Sequence, residues 1–226
     1  MAASGSSRIV GTQAGSGVVT NGLVGYWDAS NRSSYLGSGT TITDLNPSGN
    51  NQVLSGAWSY TTTAGGGWTF AATGSAGGGT STVIGNTFSI NVWVNLTSLP
   101  AIGRFVTLGP EVACLRGTTS GINGYYFTSG GVLKTITAPT SLVINTYYMI
   151  TMTYDGSLLN IYRNGGGWAA LNEAPNTLKA STGLVNFSSS SESMIGTLFN
   201  AQVYNRSLSA TEVAVTYNAF RGRFGV

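Results

Sequence analysis

Residues 147–165 read Tyr147-Tyr148-Met149-Ile150-Thr151-Met152-Thr153-Tyr154-Asp155-Gly156-Ser157-Leu158-Leu159-Asn160-Ile161-Tyr162-Arg163-Asn164-Gly165. Two strand-like runs flank Asp155-Gly156, and Asn164-Gly165 closes the far end. Tyr148, Ile150, Met152 and Tyr154 share one face of the first run, with Thr151 and Thr153 opposite. Leu159 and Ile161 share a face of the second. Aspartate and asparagine tolerate positive φ and glycine adopts it without a steric penalty, so both dipeptides are hairpin turns. The stretch predicts a β-meander cut from a larger antiparallel sheet.

Working outward, strand signals run from Gly22 to the end of the chain, with turn residues every eight to twelve positions. Phe88, Ile90, Val92, Val94 and Leu96 alternate with Ser89, Asn91, Trp93 and Asn95, which predicts a long central strand with one buried face. Leu23–Trp27, Val53–Leu54, Trp68–Phe70, Ile102–Leu108, Val112–Leu115, Tyr125–Thr128, Val132–Ile136 and Phe199–Tyr204 read as further strands. So many strands on short connections predict an all-β, two-sheet antiparallel sandwich of the jelly-roll kind. One helix is expected near the C-terminus. Ser209-Ala210-Thr211-Glu212 forms a capping box, Val213, Tyr217 and Phe220 form one apolar stripe, and Gly222 is read as its end. Residues 1–20, rich in Gly and Ser, read as an irregular arm, and residues 21–226 as one domain with a short tail.

Composition narrows the function. Charged residues are 8 % of the 226, against roughly 25 % in an average soluble protein. With 42 % hydrophobic residues and 11 tyrosines, the chain is not disordered. The net charge of +3 is spread thinly, so no basic stripe suits nucleic acid. No stretch is long enough to span a membrane, and the first residues lack the apolar core of a signal peptide. The single cysteine, Cys114, sits in an apolar run and reads as a small buried hydrophobe. With no histidine in the chain, a Ser-His-Asp triad, a His-ligated zinc and His-based proton transfer are all excluded.

Certain segments, taken in order, resemble the laminin-G-like, concanavalin A-like lectin/glucanase superfamily. They are Gly22-Leu23-Val24-Gly25-Tyr26-Trp27-Asp28-Ala29-Ser30-Asn31 with Thr43-Asp44-Leu45, then Asn86–Val94, the hairpin quoted above, and Met194-Ile195-Gly196 through Val213. The resemblance covers nearly all of residues 22–220 and implies the same jelly-roll fold. The chain departs from the family pattern at Ile42, at Phe70-Ala71-Ala72-Thr73-Gly74 and at Leu198-Phe199-Asn200. These departures remove carboxylates, so no cofactor is expected and the family's calcium is disfavoured. Asp28 and Asp44 are the remaining weak metal candidates, with turn and cap acceptor roles as the plainer reading.

Glucanase relatives work through a Glu-x-Asp-x-x-Glu strand that this chain lacks. Retaining hydrolysis needs two carboxyls about 5 Å apart, whereas Asp28, Asp44, Glu111, Asp155, Glu173, Glu192 and Glu212 lie far apart in sequence. The chain therefore reads as a non-enzyme. Sugar binding needs an exposed aromatic beside polar groups. Trp58, Trp68 and Trp168 beside Gly-rich turns, and Tyr125-Tyr126 after Asn123-Gly124, are the candidates; burial in the core is the competing reading for each.

Relatives with this opening and a short Arg-x-Arg-Phe-Gly tail are commonly components of tailed-phage and large-virus particles. The resemblance thus implies a virion protein, made in the host cytoplasm and multi-copy, that decorates a capsid or tail beside other virion proteins. Its docking candidates are Arg8, Ile9 and Val10 in the arm and Arg221, Arg223 and Phe224 in the tail. A cell-surface polysaccharide is a second partner. A free-standing lectin module and a degraded glycosidase stay open beside this reading.

Overall fold

A computed structural model describes residues 17–47, 49–78, 84–140, 142–180 and 183–226; Arg8, Ile9 and Val10 lie outside them. The chain runs through β1 (Leu23–Asp28), β2 (Thr41–Ile42), β3 (Gln52–Ser55), β4 (Trp58–Thr61), β5 (Gly67–Phe70) and β6 (Ser75–Gly78). Next come β7 (Phe88–Leu96), β8 (Gly103–Leu108), β9 (Ala113–Thr118), β10 (Gly121–Phe127) and β11 (Leu133–Thr137). It ends with β12 (Tyr147–Tyr154), β13 (Leu158–Arg163), β14 (Gly166–Asn172), β15 (Val185–Ser188), β16 (Gly196–Tyr204) and α1 (Ala210–Phe224). The first sheet has the order β14-β13-β12-β7-β16-β5-β4, with β1 also on β16; the second has the order β11-β10-β9-β8-β15-β6-β3-β2. Every ladder between these strands is antiparallel, as the turn chemistry predicts.

The decisive meander forms as read. Tyr154 pairs with Leu159 and Ile150 with Arg163, while Asp155 Oδ1 accepts the amides of Ser157 at 2.9 Å and Leu158 at 2.7 Å. Asn164 (φ 51°) and Gly165 (φ 81°) both take the left-handed conformation that a two-residue type I′ hairpin needs. Between the sheets, Phe88, Ile90, Val92, Val94 and Leu96 meet Phe105, Leu115, Tyr126 and Phe187, all of them buried.

The central strand departs from the expectation of a single buried face. Trp93, Met149, Phe199 and Tyr204 point away from the core into a second cluster with Val213, Phe220 and Phe224 of α1. Three polar side chains on this covered face bond to each other, Asn91 Nδ2 to Gln202 Oε1 at 3.0 Å and Thr151 Oγ1 to Asn91 Oδ1 at 2.6 Å. That pairing reduces the penalty of burying amides.

α1 begins as the capping box predicts: Glu212 N donates to Ser209 Oγ and Ser209 N to Glu212 Oε2. Its end differs from the reading at Gly222. The helix continues to Phe224, and Gly225 (φ 69°) supplies the left-handed cap. The reason is packing, because Phe224 stacks on Trp93 with ring centroids 4.2 Å apart. The last residues of the expected arm also dock, with Val18 and Val19 against this second cluster.

Arg206 grips both Glu212 oxygens, at 2.9 and 2.6 Å, and holds the Glu212 carboxyl down at about 2. A carboxylate depressed in the folded state stabilises above its unfolded pKa and loses that contribution as pH falls toward the folded value. Wild type is therefore expected to lose a small increment, about 1 kcal/mol or less for so open an ion pair, between pH 4.5 and about 2. Thermal melts of Glu212→Gln across that window should lack the step.

Candidate functional site

One row of residues crosses the open face of the second sheet. Thr41 pairs with Val53, Val53 with Gly77, Gly77 with Asn186, Asn186 with Thr107, Thr107 with Cys114, Cys114 with Tyr125 and Tyr125 with Thr135. Their strand neighbours Leu54, Ala76, Phe187, Leu115, Tyr126 and Ile136 lie in the core, so the row faces outward by the two-residue alternation of a strand. Thr41 and Thr135 are exposed, and Gly77 and Asn186 are half-buried. Thr107, Cys114 and Tyr125 are buried. Cys114 is the small buried residue its sequence context predicts; Thr107 Oγ1 lies 3.4 Å from its sulfur, and burial pushes its thiol pKa up.

A cleft of about 330 Å³ opens over this row, with Gly77, Asn186 and Thr107 among its lining and serines 75, 188, 189 and 190 around it. Glycine at 77 keeps this part of the lining low, since a Cβ there would stand 2.6 Å from Asn186 Oδ1. Arg104 and Glu111 also line the cleft. Arg104 Nη2 bonds Glu111 Oε1 at 2.8 Å, and its Nε bonds Glu192 Oε2. Glu111 (φ 59°) and Ser188 (φ 55°) both hold left-handed backbone that non-glycine residues avoid. Ser188 is fixed there by Oγ donating to Gly74 O at 2.7 Å and accepting Met194 N at 3.1 Å. Backbone strain of this kind gathers at functional sites, and two such residues border one cleft.

The convergence of Glu111 and Glu192 corrects the picture of isolated carboxylates. The two lie 7 and 88 residues from Arg104, and for an arginine in a strand an odd offset of seven alternates to the other face while 88 is beyond any local period. No local signal could have found them; the pairing depends on β8 lying beside the loop that precedes β16, where Arg104 N also donates to Glu192 O at 2.9 Å.

The aromatic candidates do not form a platform. Trp68 and Tyr126 are fully buried: Trp68 lies edge-on to Tyr35, with ring centroids 5.9 Å apart, and Tyr126 lies on Tyr154 at 4.3 Å. The glycines before each side chain make turns or close approaches, while strand alternation sends the ring inward. Tyr125 faces the open side but is only 4 % exposed, with the Arg116 guanidinium 4.9 Å from its ring centre. Trp58 packs half-buried at the first sheet's edge, and Trp168 carries Arg163 on its ring at 4.5 Å. Trp58, Trp68 and Trp168 belong to the first sheet and the two tyrosines to the second, so the five cannot cradle one sugar.

Asp28 and Asp44 hold the chain rather than converge on a cation. Asp28 Oδ1 accepts Ser30 N at 2.9 Å and Arg223 Nη1 at 2.8 Å. Asp44 accepts the amides of Tyr26, Asn46 and Asn50. Among the described residues no three Cys, Asp or Glu side chains are grouped as a metal would need. Two tail candidates also turn inward, with Arg223 reaching Asp28, Ala64 O and Gly66 O, and Phe224 buried. Only Arg221 stays exposed.

Sandwich, covering helix and polar cleft on the opposite sheet together define a lectin-like β-sandwich domain. The chain belongs to the concanavalin A-like lectin/glucanases superfamily, whose laminin G-type family model matches residues 71–214. Domain 4 of an extracellular arabinanase from Geobacillus stearothermophilus, solved with arabinotriose, superposes with a TM-score of 0.70 at 12 % identity, over 86 % of this chain and 98 % of that one. The botulinum neurotoxin serotype G binding domain gives 0.67 at 17 % identity, over 86 % of this chain and 50 % of that one. A Trypanosoma rangeli sialidase gives 0.63 at 16 % identity, over 88 % and 33 %. This chain thus spans about half of the toxin domain and a third of the sialidase. At such identities the likeness establishes the fold alone. No curated protein matches the chain in sequence.

Proposed function

We propose that this domain binds carbohydrate at the open-face cleft without transforming it, and that it does so as part of a virion, attached to a capsid or tail. The observation that carries the binding reading is the recessed cleft lined by Gly77, Asn186 and Thr107 and rimmed by serine hydroxyls and a paired arginine. Amides, hydroxyls and carboxylates fixed at a concave site suit a polyhydroxylated ligand, because each sugar hydroxyl both donates and accepts. The arabinanase domain solved with arabinotriose adds a sugar-bound example of the same fold.

The absence of turnover is supported by the carboxylates themselves. Two-carboxylate hydrolysis needs one group free to deliver a proton and the other to attack. Here Glu111 is the carboxylate that lines the cleft, and it shares the Arg104 guanidinium with Glu192. The virion reading is supported by the low charge and by the resemblance of the opening and tail to particle proteins. Its alternative is a lectin module that works alone.

A glycan array tests the binding reading, together with reducing-end assays on any polysaccharide that binds. Binding without turnover is expected; release of reducing ends would overturn the non-enzymatic half. Gly77→Val should weaken binding roughly tenfold or more by filling the cleft, and shift stability by about 1 kcal/mol or less, since only the Asn186 side chain must move aside. Arg221→Ala, on the helix-covered side, should leave binding unchanged. Co-sedimentation with purified particles separates the two settings: a chain that binds sugar yet never pellets with particles is the free-standing lectin.

A further inference from the structure

We propose that the cleft selects uncharged carbohydrate and rejects carboxylated sugars such as sialic and uronic acids, with the Glu111–Arg104–Glu192 assembly as the specificity device. The inference rests on the carbohydrate-binding reading and adds its ligand class.

Arginine is the usual partner of a ligand carboxylate, because its planar fork offers two parallel donors. Arg104 lines the cleft and is the candidate for that task. Its fork is already engaged: Nε is bound to Glu192 and Nη2 to Glu111 at 2.8 Å. The trio therefore presents two negative charges around one positive charge. Glu111 is the outer member, with its side chain 51 % exposed against 16 % for Arg104. A ligand approaching the guanidinium from solvent thus meets a carboxylate first.

The neighbouring cations stand outside the cleft lining, which holds Arg104 as its cation. Arg116, opposite Arg104 in the β8–β9 ladder, gives Nε to Asn123 Oδ1 at 2.8 Å and lays its guanidinium over Tyr125. Lys179 donates to the carbonyl of Pro110, on the cleft rim, at 3.3 Å. A carboxylated sugar in the cleft would meet a lining cation that already carries two carboxylates, and would enter against the Glu111 charge, a built-in repulsion of the kind that creates specificity. An uncharged sugar meets no such penalty, and carboxylate oxygens are good acceptors for its hydroxyls.

The left-handed backbone of Glu111 is what aims its side chain back at Arg104, seven residues earlier in the chain. It sits in the tight β8–β9 turn, where its amide donates to Gly109 O at 2.8 Å. From there its carboxylate accepts the Arg104 guanidinium that it faces.

The test uses the full chain against matched oligosaccharide pairs that share one neutral scaffold with and without a carboxylated residue, such as lactose-based and sialyllactose-based probes and neutral against oxidised arabinan. Wild type should prefer the neutral member of each bound pair by roughly tenfold or more. Glu111→Gln removes the outer charge and keeps the side chain's shape, so it should reduce that preference by roughly tenfold. Because Glu111 is exposed, this variant should melt with wild type, and Arg104→Gln serves as the second probe. It removes the cation and should not gain carboxylated ligands. Equal or stronger binding of carboxylated members by wild type would overturn the selectivity and leave carbohydrate binding intact. Folded protein that binds neither member of any pair would overturn the binding reading and this inference with it.

Discussion

Replacing Arg223 with alanine is expected to destabilise the domain by about 3–5 kcal/mol, the range for stranding one partner of a buried ion pair. Sequence alone places this arginine in a tail read as a docking segment. In the folded chain it reaches across to the start of the first sheet: Nη1 donates to Asp28 Oδ1 at 2.8 Å, Nη2 to Gly66 O at 2.8 Å and Nε to Ala64 O. The side chains of Arg223 and Asp28 are only 16 % and 7 % exposed. Removal would leave Asp28 as a buried charge with only neutral partners, the hydroxyls of Ser30 and Tyr26 and an amide. It would also free the turn that holds Ala64 at a left-handed φ of 47°.

Lysine at 223 keeps the charge but cannot fork to three acceptors, so Arg223→Lys should recover part of the loss. Arg221→Ala, two residues away on the exposed side, should stay within about 0.5 kcal/mol of wild type. Urea unfolding midpoints of the three variants decide the matter. An Arg223→Ala protein that unfolds with wild type would show that the clamp contributes nothing.

Trp93→Ala is the second large effect, at about 3–5 kcal/mol for an aromatic removed from a packed site. Its ring is fully buried and lies between Phe224, 4.2 Å away, and Tyr217, 5.7 Å away. α1 is 15 residues long, and a helix of that length is marginal in water without tertiary contacts. Loss of the tryptophan should therefore loosen the helix before the sandwich melts. Near-UV circular dichroism should fall, and limited proteolysis should cut within residues 210–226. Trp168→Ala, where the ring is half-exposed on an edge strand, should cost about 1 kcal/mol and leave the helix protected. A Trp93→Ala chain whose helix resists protease as wild type does would contradict this account.

Much of the fold was legible because its signals are local. The alternation through Phe88–Leu96 depends only on the two-residue period of a strand. The Asn164-Gly165 turn depends on φ preferences, and the Ser209–Glu212 cap on reach between residues three apart. Strands β6 and β15 were missed for the same reason. Ser75-Ala76-Gly77-Gly78 reads as a loop, yet it pairs on both sides, with β3 and β15. Its glycines allow Asn186 and the backbone of Asn51 to come close.

The aromatic candidates show a related limit. Gly-rich flanks mark a turn, but strand parity decides which way the next ring points. That parity put Trp68 and Tyr126 in the core, and Tyr125 under Arg116 on the opposite face.

The amino-acid order alone determined a two-sheet sandwich with one capped helix, and a chemistry without histidine. Folding in three dimensions decided which strand face the helix covers, that Arg223 closes the structure from within, and that Glu111 and Glu192 meet on Arg104. The reason is range: hydrogen-bonded turns, caps and side-chain alternation act over a few residues. A cleft, by contrast, is made by register between strands distant in sequence, which no local pattern encodes.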